Sequence, residues 1–208
     1  MSIELVTTDG LFSLDGEDFE VTNNIWLVGD DREVIVIDAA HDHLRILDAV
    51  AGRRVATILL THGHNDHINA AVALAEATDA PIALHPDDTM LWEVVYPDHP
   101  VDQAVEAGSV FSAGGHTLAT IHTPGHSPGC CCFTDTDSGV LFSGDTLFCG
   151  GPGATGRSYS DYPTIVRSIQ QRLLTLPDHT IVHTGHGDST TIGAERPGIE
   201  DAANASAD

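Results

Sequence analysis

The 208-residue chain has no lysine. All eight basic residues are arginine, set against 31 aspartates and glutamates, for a formal charge of −23. Such a chain repels a phosphate backbone, so nucleic-acid binding is not expected. Attachment to a membrane surface through a polybasic patch is excluded on the same ground. Cysteine is scarce and oddly placed: Cys130, Cys131 and Cys132 are consecutive, and Cys149 stands apart. Neighbouring side chains on a strand point to opposite faces, so this is a poor disulfide framework. It fits a reducing compartment, with the thiols as small buried apolar groups. No run of 18 apolar residues exists, so no membrane-spanning helix is expected. The opening MSIELVTTDGLFSLDG has no basic segment followed by an apolar one, so a secretory signal is not expected and the location reads as cytoplasmic. A disordered acidic chain is excluded by a hydrophobic content of 41%.

Histidine, by contrast, is abundant, with thirteen copies. The length suits one domain, read over residues 1–198, with 199–208 expected to fray. Asn24–Val28 and Glu33–Asp38 read as a hairpin around Gly29-Asp30-Asp31. His43–Ala51 has helical spacing, Val55–Leu60 is an apolar strand, and Ile68–Ala77 reads as a helix. Pro81–Leu84 reads as a strand and Asp87–Val94 as a helix. Further strands are expected over Thr117–Ile121, Cys130–Thr134, Val140–Ser143 and Thr180–Thr184, with a helix over Tyr162–Leu174. The mixture predicts sheets packed against helices.

The informative segment is Thr61-His62-Gly63-His64-Asn65-Asp66-His67. Four metal-capable side chains, His62, His64, Asp66 and His67, fall within six residues where a strand gives way to a helix. Imidazole suits zinc and iron, and carboxylate adds a harder oxygen donor. One ion rarely collects four ligands from so short a loop, so two ions are easier to satisfy. Three more strand-end segments supply partners: His126 in Thr123–Gly129, Asp145 in Ser143–Thr146, and His186 in Thr184–Asp188. A lone loop histidine or aspartate is ordinarily just solvated, but together these form a set.

The pattern His-x-His-x-Asp-His, followed by His, Asp and His, resembles the metallo-β-lactamase fold hydrolases, from about Asn24 to about Gly193. Within them it looks closest to the glyoxalase II-like thioesterases. The resemblance implies an α+β fold, an αββα four-layer sandwich. It implies His62, His64 and His126 on one metal, Asp66, His67 and His186 on a second, and Asp145 bridging. Two divalent ions, zinc before iron or manganese, would share a hydroxide that attacks a thioester carbonyl. Asp66 has a second possible role, orienting that nucleophile. No Ser-His-Asp triad is needed.

Arg157, in a Gly-Arg pair resembling one found in glyoxalase II-like proteins, reads as a substrate or metal-shell residue. Tyr159 and Tyr162 are expected in the core rather than the pocket. Asp38 reads either as a strand-end residue or as a partner of the histidine loop. His41, His43, His85, His99, His116, His122, His179 and His183 match no ligand position. The substrate expected is a small S-acyl or S-formyl thioester of a thiol carrier. Glyoxalase II binds glutathione partly through a C-terminal helical extension, whereas 22 residues follow His186 here. The lysine-free, alanine-rich composition points to a high-GC source and to mycothiol, with halophilic adaptation as the other origin of an acidic, lysine-poor chain. The Pro128-Gly129-Cys130 form also resembles persulfide dioxygenases, which would use one iron on His62, His126 and Asp145. A non-catalytic metal-binding module is the third reading.

Overall fold

The computed structural model describes residues 2–205. The first sheet has the order β1 (Ser2–Leu14), β2 (Glu17–Gly29), β3 (Glu33–Ile37), β4 (Arg54–Leu59), β5 (Ile82–Leu84) and β6 (Gln103–Ala104). The second is built from β7 (Val110–Ala113), β8 (His116–His122), β9 (Cys131–Asp135) and β10 (Val140–Gly144), and closes with β13 (Ile181–Thr184) and β14 (Thr190–Thr191). Between them in sequence, β11 (Leu147–Phe148) and β12 (Gly151–Pro152) form a small ribbon. The helices are α1 (His43–Val50), α2 (Asn65–Ile68), α3 (Ala71–Thr78), α4 (Thr89–Val95), α5 (Tyr162–Ser168) and α6 (Ile192–Ala205).

The period-2 alternation of strands builds three apolar layers from these elements. On β3, Val34 and Val36 face α1 and α3, packing on Ile46, Val50 and Leu74. Ile35 and Ile37 face the other sheet, meeting Phe133 and Phe142. Strands β9 and β10 repeat this, with Cys131 and Phe142 inward and Cys132 and Leu141 outward against Ile165, Ile169 and Ile199. Strands buried on both faces must read as near-continuous apolar runs, as these do. The result is the four-layer αββα sandwich. No helix among the described residues is long and apolar enough to cross a membrane.

Three features depart from the sequence expectations. Ser2–Leu14 pairs with β2 along its whole length, in register from Ser2↔Gly29 to Leu14↔Glu17. Asp15 and Gly16 both have positive φ, 56° and 79°, the conformation of a two-residue hairpin turn, for which Asp-Gly is a preferred dipeptide. The expected helix over Ile68–Ala77 is two: α2 is a single turn carrying Asp66 and His67, and α3 begins at Ala71. The break is fixed by neighbours, since Ala70 N–H donates to Ala39 O and His41 N–H to Asn69 Oδ1. Finally, residues 199–205, expected to fray, are helical. They continue α6, and Ile199 is fully buried beneath β10 and β13. Residues 206–208 lie outside the described chain.

Candidate metal centre

Strands β8 and β10 are both antiparallel to β9, and β13 is parallel to β10, so all three run the same way. His126 follows β8, Asp145 follows β10 and His186 follows β13. From the facing sheet, β4 delivers the His62–His67 loop and β3 ends at Asp38. All seven side chains singled out from the motif therefore meet at one end of the sandwich, mounted on rigid strands.

Their donor atoms fall into two groups. His62 Nε2, His64 Nδ1 and His126 Nε2 converge, with His64 Nδ1 3.0 Å from each of the others. His67 Nε2 lies 3.1 Å from His186 Nε2, and Asp66 Oδ2 is 3.5 and 3.4 Å from those two nitrogens. Asp145 stands between the groups: its Oδ2 is 3.6 Å from His126 Nε2 and 3.4 Å from His186 Nε2, and its Oδ1 is 3.3 Å from His67 Nε2. Gly185 leaves room for this carboxylate, because a Cβ there would sit 2.3 Å from Asp145 Oδ1.

The outer nitrogens show what the inner ones are. His126 Nδ1–H donates to Ala154 O at 2.7 Å, and His186 Nδ1–H to Thr22 O at 2.8 Å. His67 Nδ1–H donates to Asp38 Oδ2 at 3.0 Å. Thr61 Oγ1 donates to Asp38 Oδ2, so it accepts from His62 Nδ1–H at 3.1 Å. In neutral imidazole the inner nitrogens are then bare lone pairs. Hydrogens on both His67 and His186 Nε2 would meet head-on across 3.1 Å. Asp66 Oδ1 and Asp145 Oδ1 are buried without a hydrogen-bond partner. Converging lone pairs and orphaned carboxylate oxygens are what divalent cations satisfy, so the donor set fits them.

Electrostatics divides the groups. Burial, reinforced by neighbouring imidazoles, holds His62 well below the ordinary histidine range and lowers His64 to about 3. Those two imidazoles are neutral and ready for a cation. Burial also works against charge on His67 and His186, yet the Asp145 and Asp66 carboxylates favour positive charge there, raising His67 well above its usual range and His186 to about 10. The same carboxylates would favour a divalent cation in place of those protons. Asp145 is held well below the carboxylate range despite burial, chiefly by His67 and then His186.

Around these lie residues that sequence reasoning missed. Asn23 Nδ2 donates to Asp66 Oδ2, and Asn23 Oδ1 accepts from His41 Nε2. His41, assigned no role from its position, thus orients a donor through Asn23. Phe12 packs edge-on against His64, with centroids 5.3 Å apart, and Phe148 lies 6.2 Å from His186. With Val21 and Ala154 they enclose a cavity of about 390 Å³ above the donors. Arg157 lines a smaller recess beside His64 and His126. Its Nη1 donates to Glu17 Oε2 at 2.8 Å, and its guanidinium sits 4.5 Å above Phe19. Asp38 is a partner of the histidine loop, as its bonds to Thr61 and His67 show. Tyr159 and Tyr162 are exposed rather than in the core. His183 stacks on Trp26 at 4.1 Å, outside the donor set, and burial lowers it to about 4.

Gly125-His126-Ser127-Pro128-Gly129 does have Gly-x-Ser-x-Gly spacing, contrary to the expectation that this serine-hydrolase signal is absent. Ser127 is fully buried and its Oγ donates to Asp88 Oδ2 at 2.6 Å. A hydroxyl so placed is structural.

The fold and this centre define a class of proteins in which two face-to-face sheets hold a histidine–aspartate metal site at one end. The Metallo-beta-lactamase superfamily profile matches residues 19–186, and the chain belongs to that superfamily. It is 34% identical over 188 residues to the probable metallo-hydrolase YqgX of Bacillus subtilis, covering 84% of this chain and 89% of the relative. It is 32% identical over 190 residues to hydroxyacylglutathione hydrolase GloC of Haemophilus influenzae, covering 83% and 87%. Among solved structures it resembles TTHA1623 in a di-iron-bound form, with a TM-score of 0.76 and 35% identity over 85% of this chain and 93% of that one.

Proposed function

We propose that this metallo-hydrolase superfamily member is a dinuclear thioesterase that cleaves S-acyl or S-formyl thiol-carrier thioesters. The observation that carries the reading is the pair of three-donor groups with Asp145 between them. Two divalent ions, zinc by preference, would be held by these two groups and would supply an activated water and a polarising charge for a carbonyl oxygen. Asp145 spans both groups, and Asp66 offers an unpartnered Oδ1 with which to orient a water for attack. Phe12 and Phe148 keep the space above the donors apolar, which strengthens electrostatic interactions inside it. A thiolate departs without a protonating group, and the cavity walls supply none besides the donors themselves. The likeness to GloC supports the thioester reading. The second reading, a persulfide dioxygenase, would hold a single iron on His62, His126 and Asp145. The presence of His64, Asp66, His67 and His186 does not separate the two, and the number of ions per chain does.

For the carrier, we favour an uncharged thiol of the mycothiol type over glutathione. Arg157 is the cation beside the cavity, and its guanidinium is already shared with Glu17. Glutathione brings carboxylates that would compete with that pair. The test is turnover by zinc-loaded protein of matched S-acyl mycothiol and glutathione thioesters, with Arg157→Gln beside wild type. Hydrolysis of the mycothiol ester with the higher kcat/KM is expected. No turnover of any thioester, or one iron per chain with oxygen uptake on a persulfide, would overturn the reading.

A further inference from the structure

Asp88 lies in the turn before α4, is completely buried, and belongs to neither donor group. Its Oδ2 accepts from Gly63 N–H at 2.8 Å and from Ser127 Oγ at 2.6 Å, and its Oδ1 accepts from Gly129 N–H at 2.6 Å. Gly63 sits between His62 and His64; Ser127 follows His126. One carboxylate therefore pins both loops that build the three-histidine group. The fit is close on both sides: a Cβ on Gly129 would lie 2.6 Å from Asp88 Cγ, and one on Gly63 would lie 3.1 Å from Asp88 Cβ. All three bonded partners are neutral. Burial pushes the Asp88 carboxyl upward, and the three donors offset only part of that. A buried carboxylate without a bonded cation is a costly way to fill space, and an apolar side chain would do so more cheaply. Three convergent acceptor bonds give it a different task.

We propose that Asp88 is the positioning residue of the His62/His64/His126 group, fixing the spacing of its two loops so that three imidazole nitrogens face one ion. It bonds nothing in the Asp66/His67/His186 group, so its influence is confined to one half of the centre. The inference rests on the two-ion reading but not on the substrate, so failure of thioester turnover leaves it standing.

The test reads zinc affinity, by competition with a chromophoric chelator, in two backgrounds. His186→Ala keeps the three-histidine group, and His126→Ala keeps Asp66, His67 and His186. Asp88→Asn preserves volume but turns at least one amide hydrogen against a buried donor. In the first background it should weaken zinc binding by about 10–100-fold, the usual effect of losing an outer partner of a metal site. In the second, zinc affinity should not change. Equal losses in both backgrounds, no loss in the first, or no zinc binding by the three-histidine group would overturn the proposal. Should Asp88→Asn fail to fold, Ser127→Ala removes only one of the three bonds. A smaller loss confined to the first background supports the proposal, and any other distribution refutes it.

Discussion

Two histidine clusters in this molecule have similar ring spacings and opposite geometry. Rings of His62, His64 and His126 lie 4.7–5.0 Å apart with interplanar angles of 77–88°. His85 and His122 lie 4.1 Å apart at 12°, with Asp87 close by. An imidazole lone pair lies in the ring plane. Rings set edge to face can therefore aim their nitrogens at one point, whereas stacked rings send theirs along parallel lines. Proximity gathers donors in both places, His85, Asp87 and His122 included, and ring orientation favours the first as the metal centre. The cause is visible in the outer bonds. Thr61 and Ala154 turn His62 and His126 inward. His122 Nε2–H instead donates to Pro128 O, and His85 Nδ1 accepts from Asp87 N–H.

The largest effect that should separate the clusters is on the metal itself. His126→Ala removes one arm of the edge-to-face group and should lower the metal content and cut kcat for a turned-over substrate by about 10²-fold or more, given the several kcal/mol that metal polarisation supplies. His85→Asn should leave the metal-to-protein ratio untouched, as elemental analysis will show. Next in size is metal removal. At free metal near 1,000 times Kd the bound form gains about 4 kcal/mol, so chelation should lower Tm by about 8–16 °C. The same shift is expected in His122→Asn; a reduced one would place metal at the stack. Asp38→Asn should follow, weakening metal binding about 10–100-fold by freeing the outer nitrogen of His67.

The smallest effect concerns the stack alone. His122→Asn should cost about 1 kcal/mol or less, the worth of one ring pair. It should also change the acid limb of stability. Burial, and then the charge of His122, lowers His85 below its ordinary 6.5. The unfolded chain binds a proton that the folded chain refuses, so the His85 contribution is lost as pH falls below about 6.5. Removing His122 leaves burial in force, so His85 should titrate higher by NMR while staying below 6.5. An unchanged His85 would mean the rings do not sense each other.

The same contrast shows what could be read from residue order. His62, His64, Asp66, His67, His126, Asp145 and His186 were legible because each follows an apolar strand, and strand ends gather on one side of a sandwich. The orientation of a ring is set by bonds to distant backbone, such as Thr22 O for His186, and no local pattern encodes those. Asn23 and Asp88 were missed for that reason: one ends its reach on Asp66 and the other joins two loops far from it in sequence. The first hairpin was missed although Asp15-Gly16 announces it, because Ser2–Leu14 alternates only weakly and is largely half-exposed. The break between α2 and α3 came from tertiary bonds at Asn69 and Ala70, which override an alanine-rich run that favours helix.

One feature reaches into how the protein is made. Thr22 on the first hairpin anchors His186, and Asn24 N–H and Nδ2 bind Gly185 O and Thr184 O. The second residue group arrives about 160 positions after the first. A ribosome must therefore release nearly the whole chain before its earliest strand can meet its latest ligand. Long-range closure of this kind slows folding. The three-histidine group needs less of the chain, since its most distant outer bond runs from His126 Nδ1–H to Ala154 O.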